Sequence, residues 1–264
     1  MLLQRDPSGH RGLVARALSV LLLVALAIAG PVPVVASTTT PDWTAAQPPD
    51  AVGPCSPEIY LPSSKRAGAY VVRDHFESGT LGKWAITDEG DAWAGVTDDH
   101  GRRGLCAGRL IVSSSSTSRA NVRTALPSGS TDAWALGWFR VLAEGGIGSN
   151  VPTFRFFDGS QRIVDVHRQN GSGDLWLRSA DRDGSWAYVR LGTKVSLGSW
   201  HRVVVHVRAG WSAGRVDVFI DGVLRFTDSS YYVHAGRITT VMVGAEHVRQ
   251  KMDLVFDDVV VKAS

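Results

Sequence analysis

The amino-acid sequence predicts an all-β protein built as a two-sheet antiparallel sandwich. Short β-branched and aromatic runs follow one another from about residue 105 to 262, with glycine-containing turns between them. No run of helical period stands out after residue 40, and the 28 glycines are typical of turn-rich β architecture. Within the runs, apolar and polar residues alternate, which indicates strands that cover a core on one side.

The clearest strand pair is formed by residues 200–208 and 214–220, which flank a short break at residues 209–213. The second run closes on Asp221-Gly222, a dipeptide that favours a tight hairpin turn. The alternation places the following residues in the core or at its edge: Trp200, Val203, Val205, Val218 and Ile220.

Residues 1–36 have the pattern of a signal peptide. Three arginines precede an apolar run from residue 17 to 30, and Val34-Val35-Ala36 fits cleavage before Ser37. The apolar run is short for a membrane span, although an uncleaved anchor is the alternative. After cleavage we expect no stable membrane span and a secreted or cell-envelope protein.

Residues 37–69 are predicted to be a linker, and residues 70–264 a single domain. The linker holds six of the 11 prolines among Ser, Thr and Ala, a composition that buries little apolar surface. Residues 1–36 contain three arginines and one aspartate, so the remaining chain has 25 basic and 24 acidic residues. A net charge of +1 gives no support to a nucleic-acid partner.

Cys55 and Cys106 are the only cysteines. In an exported chain they are expected to form one disulfide, which would tie the linker to an early strand. Two free thiols are the alternative.

Three motifs carry a resemblance to known domains. They are the W-H-R-V-x-V-x-V…G-x-V-x-V-F-I-D-G pattern of residues 200–222, Phe76-Glu77-Ser78-Gly79 followed by Trp84, and Phe256-Asp257-Asp258-Val259. Their order and spacing resemble laminin-G-like and concanavalin-A-like jelly rolls. The resemblance implies a jelly-roll sandwich and leaves function open, because this fold hosts lectins, glycosidases, lyases and adhesion modules.

The same resemblance implies a structural Ca²⁺ between the first motif of the domain and the last strand. The matching oxygens belong to Glu77 and to Asp257 or Asp258, with Asp74 nearby in sequence. Because Ca²⁺ takes six to eight oxygen ligands, backbone carbonyls would supply most of the rest. The alternative is that Glu77 caps a turn and one aspartate is solvated.

Residues 153–191 carry the functional signal. Four successive runs have alternating positions of two kinds. Aliphatic or phenylalanine side chains occupy one set of alternate positions (one parity), and polar or large aromatic side chains occupy the other. If the runs pair as a meander, the second set lies side by side on one sheet face. That set is Arg155, Asp165, His167, Trp176, Arg178, Trp186, Tyr188 and Arg190.

Aromatic rings and guanidinium groups on one face favour binding of a polysaccharide, and arginines favour an anionic one. The alternatives are that loops cover this face, or that it is a solvated arginine-rich surface.

Catalysis at the same face would need a proton-transfer pair, for which His167 with Asp165 or Tyr188 are the candidates. The E-x-D-x-x-E motif of laminarinase-like enzymes and the motifs of alginate-lyase-like jelly rolls are absent. A retaining glycosidase needs two carboxylates close together, and the face offers only Asp165. The sequence therefore favours a lectin-like glycan-binding protein over two alternatives: a polysaccharide lyase or glycoside hydrolase, and a cell-envelope adhesion module.

Overall fold

A computed structural model describes Cys55 and residues 66–264 of the chain. Within this part there are 15 β-strands and no helix, as the sequence predicts. The predicted signal peptide and most of the predicted linker lie outside the described residues.

The strands of the described part are as follows. The first eight are β1 (Ala69–Asp74), β2 (Ala85–Glu89), β3 (Trp93–Thr97), β4 (Ala107–Val112), β5 (Arg119–Ala125), β6 (Asp132–Glu144), β7 (Asn150–Asp158) and β8 (Gln161–Gln169). The remainder are β9 (Asp174–Ala180), β10 (Trp186–Lys194), β11 (Trp200–Arg208), β12 (Gly210–Ile220), β13 (Val223–Val233), β14 (Thr240–Gly244) and β15 (Met252–Ala263).

These strands form two antiparallel sheets that pack face to face. The first sheet has the order β13-β12-β11-β6-β15-β4-β3, with β1 also paired to β15. The second sheet has the order β10-β9-β8-β7-β14-β5-β2. Strands that are distant in the chain, such as β7 and β14, are therefore neighbours in the second sheet.

The core lies between the sheets and is built from the apolar parity of each strand. Phe139 of the first sheet meets Phe154 of the second edge to face, with ring centroids 4.9 Å apart. Four of the five predicted core residues are at most 1% exposed: Val203, Val205, Val218 and Ile220. Trp200 is half-buried, as expected for the edge of the core.

The predicted hairpin is confirmed, with Val205 opposite Val218 in register. Asp221 and Gly222 both have positive φ, 52° and 84°, which the turn between β12 and β13 requires. The expected break at residues 209–213 is wrong, because β12 already begins at Gly210. Pairing with β13 extends the strand through this stretch, with irregular register around Gly214.

The meander β7–β10 is also confirmed, since each of these strands pairs with the next. Sequence analysis missed β1, β2, β3 and β13, which are short strands or strands with mixed polarity.

The predicted disulfide is present. Cys55 is bonded to Cys106, and the amide of Cys55 donates to the carbonyl of Glu77. The predicted linker is thus attached to the sandwich at this residue. Across the described part of the chain, no helix has the length and hydropathy needed to cross a bilayer.

Candidate functional site

The candidate site is the outer face of the second sheet, where the polar parity of β7 to β10 lies away from the core. The strand register puts Arg155, Asp165, Arg178 and Tyr188 in one row across four strands. His167, Trp176 and Arg190 form the next row. Trp186 has the same parity as Tyr188 and Arg190 on β10, so all eight predicted site residues belong to one face.

Three of the eight side chains do not reach solvent, in agreement with the alternative that a loop covers part of this face. Arg155 and Asp165 are 0% exposed and His167 is 2% exposed. The reason is a covering loop, residues 245–251 between β14 and β15, whose Glu246 and Gln250 bind Arg155 from above. Trp176, Trp186 and Arg178 are partly exposed, and Tyr188 and Arg190 are exposed.

Asp165 is the centre of a charged network. Its carboxylate accepts from Nε of Arg178 at 3.1 Å and lies 3.2 Å from Nε of Arg162. Nδ1 of His167 is 2.9 Å from Oδ1 of Asp165, and Nε of Arg155 is 3.7 Å from Oδ2, the oxygen that Arg162 and Arg178 also approach. We call Arg155, Arg162, Asp165, His167, Arg178 and Glu246 the charged network.

Burial disfavours ionisation of Asp165, but the hydrogen bond from His167 and the positive charge of Arg155 outweigh it. The pKa of Asp165 is therefore held well below its usual range. Burial lowers the pKa of Arg155 to about 10, against the attraction of Asp165 and Glu246. Both groups are ionised at neutral pH.

Arg162 is a member of the network that sequence analysis missed. By simple alternation it shares a parity with the core residues Val164 and Val166. The register shifts at Phe156/Phe157, so that two residues of β8 oppose one of β7. This bulge turns Arg162 to the outer face, where Nη1 lies 2.6 Å from Oε2 of Glu246.

The aromatic edge, which we define as Trp176, Trp186, Tyr188 and Arg190, borders the network on β9 and β10. The ring of Trp186 lies over Arg162 and Arg178, whose Cζ atoms are 4.5 and 5.1 Å from its centroid. Tyr188 is 53% exposed. Arg190 is held by both oxygens of Asp174, at 2.8 and 2.9 Å. The rings of Trp186 and Tyr188 thus lie against guanidinium groups of the charged network.

A cleft of about 210 Å³ lies on the other side of the network, and sequence analysis did not predict it. Its polar lining residues are Arg119, Asn121, Arg123, Ser160, Thr240 and Glu246. Arg119, Asn121 and Arg123 alternate on β5, so their shared face was visible in the sequence. Their position beside the network was not, because it depends on the pairing of β5 with β14 and of β14 with β7.

Gly244 explains how the covering loop leaves the sheet. Its φ is +100°, and a Cβ at this position would lie 2.4 Å from Cδ1 of Leu110. The loop is then held down by the side chain of Asn121, which donates to the carbonyl of Ala245 at 2.8 Å.

The charges on this face do not balance. The network, the aromatic edge and the cleft together contain six arginines: Arg119, Arg123, Arg155, Arg162, Arg178 and Arg190. The carboxylates that pair with them number four: Glu89, Asp165, Asp174 and Glu246. Arg123 donates to Thr87 and Asn121 and to no carboxylate among the described residues. The face is therefore electropositive.

The proposed calcium residues lie elsewhere, around residues 102–106. Oε1 of Glu77 accepts from the amides of Leu105 and Cys106, both at 3.0 Å. Asp257 uses one oxygen for the amides of Arg102 and Arg103 and the other for that of Asp258. Burial and the neighbouring Asp258 raise the pKa of Asp257 to about 7.

Two carboxylate oxygens in this region are buried without a hydrogen-bond partner, Oε2 of Glu77 and Oδ1 of Asp258. Such oxygens are the ligand type that Ca²⁺ takes. Within the described residues, however, only Cys55, Glu77 and Cys106 bring three potential ligand atoms within 4.8 Å of one another, and the two sulfurs are bonded together. Glu77 and Asp258 thus each have one oxygen without a hydrogen-bond partner, whereas both oxygens of Asp257 already accept hydrogen bonds.

No protein-family model and no curated protein matches this chain. Solved structures do match it. An endo-β-1,4-glucuronan lyase from the fungus Trichoderma reesei has a TM-score of 0.56 and 15% identity, covering 70% of this chain and 93% of that one. The cellulose-induced protein Cip1 has a TM-score of 0.56 and 16% identity, covering 73% and 97%.

A third similar structure is domain 4 of AbnA, an extracellular arabinanase of Geobacillus stearothermophilus, in complex with arabinotriose. Its TM-score is 0.55 with 18% identity, covering 75% of this chain and 94% of that one. At these identities the similarity establishes the β-sandwich fold, and the function rests on the site itself.

Proposed function

We propose that this protein binds an anionic polysaccharide along the outer face of its second sheet. The observation that carries the proposal is the aromatic edge, three rings on adjacent strands beside an electropositive surface. Exposed aromatic groups provide flat apolar faces for sugar rings, and guanidinium groups hydrogen-bond to hydroxyls and carboxylates. Among the similar structures, one is a glucuronan lyase and another is a domain in complex with arabinotriose, which supports a carbohydrate ligand.

Binding without cleavage is favoured over a lyase or hydrolase. His167 and Asp165, the proposed proton-transfer pair, are buried and bound to each other, so neither contacts a ligand at the surface. Of the three candidates for proton transfer, only Tyr188 is accessible to solvent. Within the face, Glu246 is the one carboxylate that lines the cleft, whereas retaining glycosidases use two.

The double variant Trp176→Ala/Trp186→Ala tests the proposal. We expect the parent to bind soluble glucuronan, an anionic β-1,4 polymer, more tightly than neutral hydroxyethylcellulose. The double variant should lose at least about tenfold in affinity, which corresponds to about 1.4 kcal/mol. Trp138→Ala is the matched control, because Trp138 is a half-buried tryptophan under Arg102 on the other sheet.

Titration calorimetry gives the affinities, and the same samples are assayed for new reducing or unsaturated ends. Equal affinity of the double variant and the parent would remove the proposed site. If the parent releases such ends and the double variant does not, the proposed function changes from binding to catalysis. The additional change Arg123→Gln should weaken glucuronan binding mainly at low salt, since exposed charges are screened.

We further propose that the chain is exported and that Glu77 and Asp258 help to hold a structural Ca²⁺. The disulfide supports export, because such bonds persist in oxidising compartments. For calcium, a concentration ten times the dissociation constant should stabilise the domain by about 1.4 kcal/mol, or roughly 3–6 °C in melting temperature. Glu77→Gln should abolish this shift. A melting temperature that neither Ca²⁺ nor EDTA changes would remove the cation.

A further inference from the structure

A second aromatic cluster lies outside the site described above. Trp211, at the start of β12, is 54% exposed. The rings of His234 and Tyr232 contact it at steep angles, with centroids 4.9 and 6.4 Å away. We call Trp211, Tyr232 and His234 the rim cluster.

The turn between β9 and β10 fixes the rim cluster. The Tyr232 hydroxyl lies 3.2 Å from Nδ1 of His234, and the same nitrogen lies 3.1 Å from the carbonyl oxygen of Asp181. The guanidinium of Arg182 stands over the Tyr232 ring at 4.9 Å. Because these neighbours are held in place, Trp211 presents a rigid exposed ring, and ordering it on binding costs little conformational entropy.

The fold does not require this arrangement. Trp211 contributes nothing to the buried core, which is made by other residues of β12 such as Val216 and Val218. Single exposed apolar residues are ordinary, but three aromatic rings and a guanidinium gathered at one exposed place are typical of a binding surface.

The rim cluster adjoins the aromatic edge through the same turn. Arg182, which contacts Tyr232, is four residues before Trp186 of the aromatic edge. Four residues of extended chain span at most about 14 Å. The rim cluster, which contacts Asp181 and Arg182, and Trp186 of the aromatic edge therefore both flank the turn between β9 and β10.

We propose that Trp211 is an outer subsite on which a further sugar ring of the same polysaccharide stacks, with Arg182 available to its hydroxyl or carboxylate groups. This inference rests on the proposed function, since it extends the binding track of the second sheet. Its consequence is a dependence of affinity on ligand length, because short oligosaccharides fill the sheet face and only longer ones reach Trp211.

Trp211→Ala in the full chain tests the subsite with size-fractionated glucuronan oligosaccharides in titration calorimetry. We expect unchanged affinity for the shortest oligosaccharides that bind and about tenfold weaker affinity for long ones, the loss of one aromatic contact. Leu224→Ala is the matched control, because Leu224 is 47% exposed on the neighbouring strand β13. It should bind every length as the parent does.

Two results would overturn the subsite. One is a Trp211→Ala variant that binds long oligosaccharides as tightly as the parent. The other is a parent that sediments as a dimer and a variant that sediments as a monomer, which would assign Trp211 to a contact between two copies. The proposed function fails separately, if the Trp176→Ala/Trp186→Ala variant binds the short oligosaccharides normally.

Discussion

The outer face of the second sheet has an inner half on β7 and β8 and an outer half on β9 and β10. Both halves carry the same sequence pattern, and we propose different roles for them. On β7 and β8 the polar parity is buried, and Arg155, Asp165 and His167 bind one another beneath the covering loop. On β9 and β10 the same parity remains partly or fully exposed, as Tyr188 shows. Alternation thus identifies the face, while the covering loop decides which side chains on it are available to a ligand.

This difference supports a stabilising role for the inner half and is consistent with the proposed binding role of the outer half. A buried charge without its partner is costly, so the network is expected to hold the strands and the loop in a single arrangement. Trp176 and Trp186 are partly exposed and lie outside the hydrophobic core, so we expect the domain to stay folded when they are replaced by alanine.

Asp165→Asn should have the largest effect on stability. The change leaves three buried or partly buried arginines, Arg155, Arg162 and Arg178, without their shared carboxylate. We expect a loss of about 3–5 kcal/mol in the free energy of unfolding, measured by urea denaturation. Asp158→Asn, which breaks a surface pair with the mostly exposed Arg237, should cost less than about 1 kcal/mol.

The contribution of Asp165 to the free energy of unfolding should depend on pH. Because the pKa of Asp165 is lowered in the folded state, its contribution is complete above the unfolded value of about 3.9. It is lost as the pH falls toward the folded value. The stability difference between the parent and Asp165→Asn should therefore be constant from about pH 5 to 7 and shrink below about pH 4. Equal losses for Asp165→Asn and Asp158→Asn at pH 7 would contradict the role of the network.

Glu246→Gln should lower the free energy of unfolding less than Asp165→Asn does. It tests stability and binding together, because Glu246 belongs to both the charged network and the cleft. Loss of its charge weakens its bonds to Arg155 and Arg162, at a cost of about 1–3 kcal/mol in unfolding free energy. The same change makes the cleft more positive, so glucuronan binding should strengthen at low salt.

Glu89→Gln is the control for this variant, because Glu89 pairs with Arg119 at a half-exposed position. It should lower stability by less than about 1 kcal/mol. If Glu246→Gln costs no more than Glu89→Gln, the covering loop is not held by its charge.

The sequence predicted the sandwich, the pairing of β11 with β12, the turn at Asp221-Gly222 and the disulfide because each follows from local pattern or from a single possible pairing. It also placed eight site residues on one face, since that requires only alternation and a meander. It missed Arg162 because a bulge reverses the alternation at that point. It missed Glu246 and the cleft because they depend on the non-local pairing of β14 with β5 and β7, which no local pattern encodes.

The measurement that tests the division of roles most directly compares Asp165→Asn with Trp176→Ala/Trp186→Ala in both unfolding free energy and glucuronan affinity. We predict that the tryptophan variant keeps most of its stability and loses at least about tenfold in affinity. We predict that Asp165→Asn loses about 3–5 kcal/mol of stability, while its folded fraction retains the aromatic edge and binds within a few-fold of the parent. Either of two results would contradict this account. The tryptophan variant could lose its stability while its folded fraction binds with normal affinity. The Asp165→Asn variant could keep the stability of the parent and no longer bind.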